Sequence, residues 1–360
     1  MQPGSFLIDA SRGERRFRVK SLLFEGASYQ IALAEDTALD DKLVCVKTIA
    51  YDSKRLQDKA YVVQRRKALH QEMTFLTLSS HLLPEPLDWI QLEESETVLS
   101  REPVLVYEYM PGETLFEHVK EKHPTGMAPF RALRLIREVA GFLAEIHGEG
   151  WVFRNLDPRH IVISVDDIIH MVGASNAAKI GERPLHMQNK GEWAYIAPEI
   201  REELSGQFIK RQADLYSLAA LFSFLVTGEE PRESVENPLT RAAYEKLAAL
   251  DPQGLTLLIA KNMQPMAKNR QARIEKFLEL SLPQTLPTPQ SKDFGLMALP
   301  APWTGAESPD SRAMKSTLSP GPLISVERQA QQQSKDQGQL EAAEPQGCRG
   351  ILSRLFNRAR

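Results

Sequence analysis

The chain has 360 residues, of which 42% are hydrophobic and 25% are charged. This length and composition can bury a large core, and they predict one large domain or two smaller ones. The 44 basic and 47 acidic residues leave a net charge of -3. Proteins that follow the phosphates of nucleic acid usually carry an excess of Lys and Arg, so we predict no nucleic-acid partner.

Cysteine content and hydropathy bear on the compartment. Two cysteines, Cys45 and Cys348, are too few for a disulfide framework and favour a reducing environment. No apolar stretch approaches the roughly 18 to 20 uncharged residues that a membrane span requires. Residues 1–18 lack the apolar segment of a secretory signal. We therefore expect a cytoplasmic protein.

Strand-like patterns dominate the first part of the chain. Apolar runs at 17–23, 31–34 and 43–49 predict three antiparallel strands. Residues 54–78 place apolar side chains at helical spacing and predict a helix, and the run at 104–109 predicts another strand.

Helical patterns dominate the next part. They predict helices over 129–147, 214–227, 239–250, 255–261 and 272–279. A strand-rich part followed by a helix-rich part is typical of an α+β protein with a cleft between two lobes.

Composition divides the chain further. We predict a lead-in at 1–16, a strand-rich lobe at 17–110, a helical lobe at 111–281, a linker at 282–347 and a C-terminal segment at 348–360. The linker mixes Pro, Ser, Gln and Gly without a periodic apolar face. Such a segment cannot bury enough apolar area to offset chain entropy, so we predict that it is disordered.

The C-terminal segment has the character of a docking helix. It contains four arginines and no acid, and its apolar residues share one helical face: Ile351, Leu352, Leu355, Phe356 and Ala359. A basic amphipathic helix can bind the groove of a protein partner or make peripheral contact with an anionic membrane. The alternative is a solvated tail, and the sequence leaves these targets open.

A resemblance to protein kinases is carried by residues 150–163, which read GWVFRNLDPRHIVI. The catalytic loop of that family contains H-R-D-L followed by an Asn, with the Asp as base and the Asn as a magnesium ligand. Arg154 matches the Arg of this loop. Lys47 closes V-C-V-K, which is similar to V-A-I-K, and Glu72 falls where the helix glutamate that pairs with this lysine is expected.

Other motifs follow in the order of the family. Gly26 is the surviving glycine of the glycine-rich loop, and Glu108 and Met110 resemble the interlobe hinge. Further matches in structural roles are Gly173 after Met171-Val172, Glu199 of A-P-E, Asp214 of D-x-x-S-L, and Arg270, which is placed to pair with Glu199. The resemblance implies a two-lobe fold of the bacterial Ser/Thr kinase type.

The residues that carry the chemistry of the family are replaced. Asn155 stands at the position of the base, and an amide has no basicity near neutral pH. His160 and Met171 stand at the metal-ligand positions, although magnesium demands oxygen ligands. We therefore expect none of these three positions to be catalytic and no metal to be bound.

Additional departures oppose nucleotide binding. Asp157 replaces a lysine that faces the transferred phosphate, and Glu192 replaces a threonine. Phe24 and Tyr29 replace glycines of the phosphate loop, where a side chain keeps the backbone amides from the phosphates. Lys47, Glu72, Gly26, Glu108 and Met110 then form a vestigial nucleotide pocket, with no cofactor expected and ATP binding weak at best.

The resemblance and the replacements together predict a pseudokinase, which binds protein partners through its kinase-like domain and its C-terminal segment. The alternative is an atypical Ser/Thr kinase with weak ATP-dependent transfer, in which Lys47 holds phosphates and Asp157 or Asp167 stands in for the missing groups. The pair Asp166 and Asp167 is also typical of a solvated turn.

Overall fold

A computed structural model describes the following parts of the chain: 1–10, 12–26, 28–50, 59–92, 102–182, 193–201, 209–234, 238–250, 254–271 and 273–279. All of these residues belong to one unit, 1–303. The predicted linker at 282–347 and docking segment at 348–360 lie outside the described residues.

The first lobe is built on a six-stranded sheet in the order β1-β2-β3-β4-β6-β5. Its pairings are antiparallel, and the three strands predicted between residues 17 and 49 are confirmed as β2, β3 and β4. The strands are β1 Phe6–Asp9, β2 Glu14–Glu25, β3 Tyr29–Asp36, β4 Lys42–Ile49, β5 Pro86–Gln91 and β6 Pro103–Glu108.

The two edges of this sheet meet at one end. Asp9 at the end of β1 bridges Leu92, which follows β5, and the Ala10 amide donates to the Gln91 carbonyl at 2.7 Å. The curled sheet encloses an apolar core made of alternate residues from all six strands and from Leu92. Residues 1–16, for which no element was predicted, therefore contribute β1 and the beginning of β2 to the lobe.

The other face of the sheet carries the residues of interest for function. Ile31 pairs with Lys47 across β3 and β4, while their neighbours Ala32 and Val46 point into the enclosed core. Because side chains alternate along a strand, Lys47 projects to the opposite face. Helix α1, Lys59–Leu76, contacts β4 and β6 and lies within the predicted helical range of 54–78.

The second lobe is helical, as predicted. Its centre is α5, whose residues are nearly all buried, and α3, α6 and α7 contact it. The helices are α2 Leu115–Lys122, α3 Pro129–Gly148, α4 Pro198–Arg201, α5 Gln212–Thr227, α6 Arg241–Leu250, α7 Leu255–Asn262 and α8 Glu275–Leu278. Short strands complete the lobe: β7 Glu113–Thr114, β8 Trp151–Val152, β9 Ile161–Ile163, β10 Ile169–Met171 and β11 Ala178–Lys179.

Three helices differ from the prediction. Helix α4, Pro198–Arg201, was not predicted. Helix α8 is shorter than the predicted range of 272–279. Helix α2 was not predicted, although the sequence contains a signal for it: Thr114 and Glu117 form a capping box, in which each side chain accepts from the backbone amide of the other. In the part of the chain that the structure describes, no helix has the length and apolarity needed to traverse a membrane.

Buried ion pairs join three strands of the first lobe. Arg16 of β2 donates to Asp36 of β3 at 2.7 and 2.6 Å and to Asp88 of β5 at 2.8 Å. Both aspartates are almost fully buried, whereas Arg16 keeps 20% of its side chain exposed. Arg12 contacts Asp88 at 3.2 Å and compensates part of its charge.

We predict that Arg16→Gln destabilises the protein by about 2 to 3 kcal/mol in urea denaturation, because removing one partner leaves buried carboxylates without compensation. The estimate is at the lower end for buried pairs because Arg16 is partly exposed and Arg12 remains. The matched control is Arg18→Gln on the same strand, which breaks an exposed pair with Glu35 and should change stability little. Equal losses in the two variants would contradict a structural role for the buried pairs.

Candidate functional site

The cleft face of the sheet carries a buried ion pair. Lys47 Nζ of β4 donates to the two carboxylate oxygens of Glu72 on α1 at 2.8 and 2.7 Å. Both side chains are only 3% exposed. The pair that the kinase resemblance implies is therefore present, and it connects the sheet to the helix.

An aromatic ring covers this pair. Lys47 Nζ lies 4.7 Å from the ring centroid of Tyr29, at the start of β3. The ammonium is attracted to the electron-rich face of the ring. Tyr29 is 7% exposed, and burial, with the nearby charge of Glu72, raises the pKa of its phenol. The ring thus stays neutral and packs on the Lys47 ammonium.

The glycine-rich segment is packed by a second aromatic residue. A Cβ at Gly26 would lie 2.6 Å from carbons of the Phe24 ring, so the absence of a side chain at Gly26 admits that ring. The Gly26 amide donates to the Tyr29 carbonyl at 3.0 Å. This amide is therefore engaged in the turn of the segment.

One carboxylate holds the segment that resembles the catalytic loop. Asp214, fully buried at the start of α5, accepts from the backbone amides of Phe153 at 2.9 Å and Arg154 at 2.8 Å. It also lies 2.9 Å from His147 Nε2 of α3. Arg154 has a positive φ of 63°, a backbone conformation that these hydrogen bonds stabilise. The sequence reasoning missed His147, because no local motif links it to a residue 67 positions away.

The Arg154 side chain is enclosed by protein. One of its guanidinium nitrogens donates to the Asn176 carbonyl at 3.2 Å. Burial lowers the pKa of this guanidinium to about 10, although the charge of Asp214 acts in the opposite direction. At neutral pH Arg154 remains charged.

Asn155 stands at the position of the base and His160 at that of a metal ligand, and both side chains lie within hydrogen-bond distance of backbone carbonyls in the same cluster. Asn155 Nδ2 donates to the Gly173 carbonyl at 2.7 Å, and His160 Nδ1 lies 3.2 Å from the Asn155 carbonyl. Gly173 has a φ of 73°, and a Cβ there would lie 2.7 Å from His160 Cδ2. Asn155, His160 and Gly173 therefore form one packed cluster.

The third replaced position lies in the core. Met171 ends β10, is fully buried, and donates its amide to the Leu82 carbonyl at 2.7 Å. A thioether and an imidazole do not fit magnesium, which takes oxygen ligands. Within the described ranges, no group of three or more His, Cys, Asp or Glu residues could hold a metal ion.

The two carboxylates considered as substitutes are both engaged. Asp157 is buried rather than facing an open phosphate site, and it accepts from the amide of Arg159 at 2.8 Å and from its guanidinium at 3.2 Å. Asp167 does occupy the predicted turn, but it accepts from Arg131 of α3 at 2.6 Å. The Asp167 carboxylate is therefore only partly solvated, because Arg131 forms an ion pair with it.

An aromatic cluster joins α1 to the loop segment. Phe75 near the end of α1 lies 5.3 Å from Trp151, 5.9 Å from Phe153 and 6.5 Å from Phe142 of α3, measured between ring centroids. Phe153 stands where the H-R-D motif has its histidine. The loop thus connects to α1 through apolar contact.

Four other predicted residues lie in the described part of the chain. Glu108 ends β6, where its amide donates to the Glu85 carbonyl at 2.9 Å, and Met110 follows as a half-buried residue of the interlobe connection. Arg270 donates to the two oxygens of Glu199 at 2.7 Å each. Glu192 lies outside the described residues.

Comparison with known proteins decides the family. The family model of the protein kinase domain matches residues 17–285. The chain belongs to the protein kinase family. The crystal structure of the Mycobacterium tuberculosis PknI kinase domain has the same fold, with a TM-score of 0.54 and 18% sequence identity over 77% of this chain and 97% of that one.

Curated relatives include bacterial Ser/Thr kinases. The serine/threonine-protein kinase pkn2 of Myxococcus xanthus is 27% identical over 266 residues, which are 70% of this chain and 28% of that protein. The serine/threonine-protein kinase PknB of Mycobacterium tuberculosis is 26% identical over 277 residues, which are 74% of this chain and 42% of that protein. The matched region therefore covers less than half the length of each of these two relatives.

We predict that Gly173→Ala disrupts the cluster around His160. The expected loss of unfolding free energy is about 1 to 3 kcal/mol beyond the strain of the backbone, because the added methyl overlaps the imidazole. Gly181→Ala is the matched control, since Gly181 also has a positive φ of 83° but open space around its Cβ position. Thermal and urea unfolding measure both. His160→Ala should recover part of the loss in the Gly173 variant, and no recovery would contradict the packing account.

Proposed function

We propose that this protein is a pseudokinase, a kinase-fold protein that acts by binding a protein partner and does not transfer phosphate. The observation that carries the proposal is the cluster of Asn155, His160 and Gly173. In this cluster the amide at the position of the base donates to a backbone carbonyl. An amide in this role has no means of accepting the proton of a substrate hydroxyl.

The metal positions support the same proposal. Phosphoryl transfer in kinases depends on magnesium to neutralise the charge that develops on the phosphates. Met171 is buried and His160 presents nitrogen, so this site lacks the oxygen ligands on which that neutralisation rests.

The Tyr29 ring over Lys47 supports weak nucleotide binding at most. A phosphate that approached Lys47 on the side of this ring would have to displace the ring. The free energy of that rearrangement would be subtracted from the affinity. We therefore propose that ATP is not a required cofactor.

The alternative, an atypical Ser/Thr kinase of low activity, draws support from the names of the relatives. It requires substitute carboxylates, and here Asp157 is engaged by Arg159 and Asp167 by Arg131. Freeing either carboxylate would break an ion pair. We favour the pseudokinase for this reason.

The test is phosphotransfer from radiolabelled ATP with magnesium to the protein itself and to a generic protein acceptor. We expect no transfer above that of Lys47→Arg, which keeps the charge facing Glu72, with Lys20→Ala as a matched surface control. Transfer by the unaltered protein and by the Lys20 variant, but not by the Lys47 variant, would establish the atypical kinase instead.

We propose further that the partner is a protein in the cytoplasm, bound by the kinase-like domain together with residues 348–360. The alternative target of this segment is an anionic membrane, with which it would make peripheral contact. The support is the four arginines and the apolar positions of that segment. We predict that replacing Leu355 and Phe356 by Asp weakens association with partners or anionic vesicles and leaves the melting temperature unchanged. Equal recovery of partners and equal sedimentation with vesicles would refute the docking role.

A further inference from the structure

A polar cluster outside the cleft connects the end of α2 to the beginning of α3. At its centre is the Arg131 guanidinium of α3, which donates to His123 Nε2 at 2.9 Å and to His118 Nε2 at 3.1 Å. It also donates to Asp167 on the turn between β9 and β10 at 2.6 Å. One side chain therefore connects three elements of the helical lobe.

The chemistry of arginine fixes the protonation of both histidines. A guanidinium has only donors, so each Nε2 must offer a lone pair, and each imidazole must be neutral with its proton on Nδ1. His118 agrees with this assignment, because its Nδ1 lies 2.7 Å from a carboxylate oxygen of Glu113, to which it can donate. Addition of a proton to Nε2 would place two donors against each other.

We propose that His123 and Arg131 form a proton-sensitive latch, in which neutral His123 holds the end of α2 on α3 and protonation of His123 opens this contact. The latch is a property of the helical lobe and does not depend on whether the cleft transfers phosphate.

The charges around the cluster select His123 as the group that responds. His123 faces the cations Arg131 and Lys122 and the ring of His118, whose centroid is 5.4 Å away, while Asp167 supplies an opposing charge. Glu113, which also accepts from Lys122, lies against Nδ1 of His118. His118 thus contacts the Glu113 carboxylate through Nδ1 as well as Arg131 through Nε2, whereas Nε2 of His123 contacts the Arg131 cation.

Burial, followed by the charge of Arg131 and then that of Lys122, lowers the pKa of His123 below its ordinary value of about 6.5, and Asp167 acts in the opposite direction. The unfolded chain therefore binds a proton at His123 more readily than the folded chain. The stabilising contribution is complete above about pH 6.5 and falls as the pH decreases toward the folded-state pKa.

Opening the latch would change the packing of α2, and through α2 it would affect the loop segment. This helix contacts both the 3-10 helix Pro158–His160 and strand β9. A change at the end of α2 can therefore alter the support of the segment that contains Asp157 and His160, although His123 itself lies outside the cleft.

The test compares the full-length protein with His123→Gln, whose side-chain oxygen can accept from Arg131 but does not titrate. Urea midpoints are measured from pH 7.5 to pH 5.0. We expect the midpoint of the unaltered protein to decrease more on acidification than that of the Gln variant. His81→Gln is the matched control, because His81 is exposed, and its pH dependence should equal that of the unaltered protein.

Nuclear magnetic resonance of the histidine rings gives a second readout that does not depend on global unfolding. The His123 ring should titrate below about 6.5 in the unaltered protein, and Arg131→Gln should move its pKa upward. The proposal is overturned if His123 titrates at or above the ordinary value, or if His123→Gln and His81→Gln have the same pH dependence.

Discussion

The ion pair between Lys47 and Glu72 is the constraint on which the cleft depends. It fixes α1 against β4, and α1 in turn carries Phe75 into contact with Trp151 and Phe153 of the loop segment. This buried polar contact and this apolar cluster therefore both help to position the sheet relative to the loop. Loss of the polar contact would free the helix that brings the aromatic rings together.

Burying two charges is costly unless both are compensated, and here the compensation comes from within the protein. The two contacts with Glu72 and the Tyr29 ring surround the Lys47 ammonium. In a kinase that binds ATP, this lysine also contacts phosphates. The Lys47 ammonium is thus compensated by contacts within the protein.

Motif order was sufficient to predict the two-lobe fold, because the motifs on β4, α1, the loop segment and α5 follow one another as they do in the kinase family. Pairing of Lys47 with Glu72 and of Arg270 with Glu199 follows from the same motifs. The sequence also contained the capping box at Thr114, which local rules could have converted into α2.

Other features depend on tertiary structure and had no local signal. Strand β1 has four residues, and its role appears only when its end meets Leu92. Asp157 stands where the family has a lysine that faces the transferred phosphate, and its contact with Arg159 depends on how the loop folds. The stacking of Tyr29 on Lys47 likewise requires the register of β3 and β4, which sequence spacing does not specify.

A double-mutant cycle on Lys47 and Glu72, measured as unfolding free energy with and without magnesium and ATP, tests the central claim most directly. The account predicts that Lys47→Met and Glu72→Leu each cost about 3 to 5 kcal/mol, that the double variant loses less than their sum, and that nucleotide changes none of these values appreciably. The contradicting result is a Lys47→Met protein as stable as the unaltered one without nucleotide, combined with a stabilisation by magnesium and ATP that only the unaltered protein has.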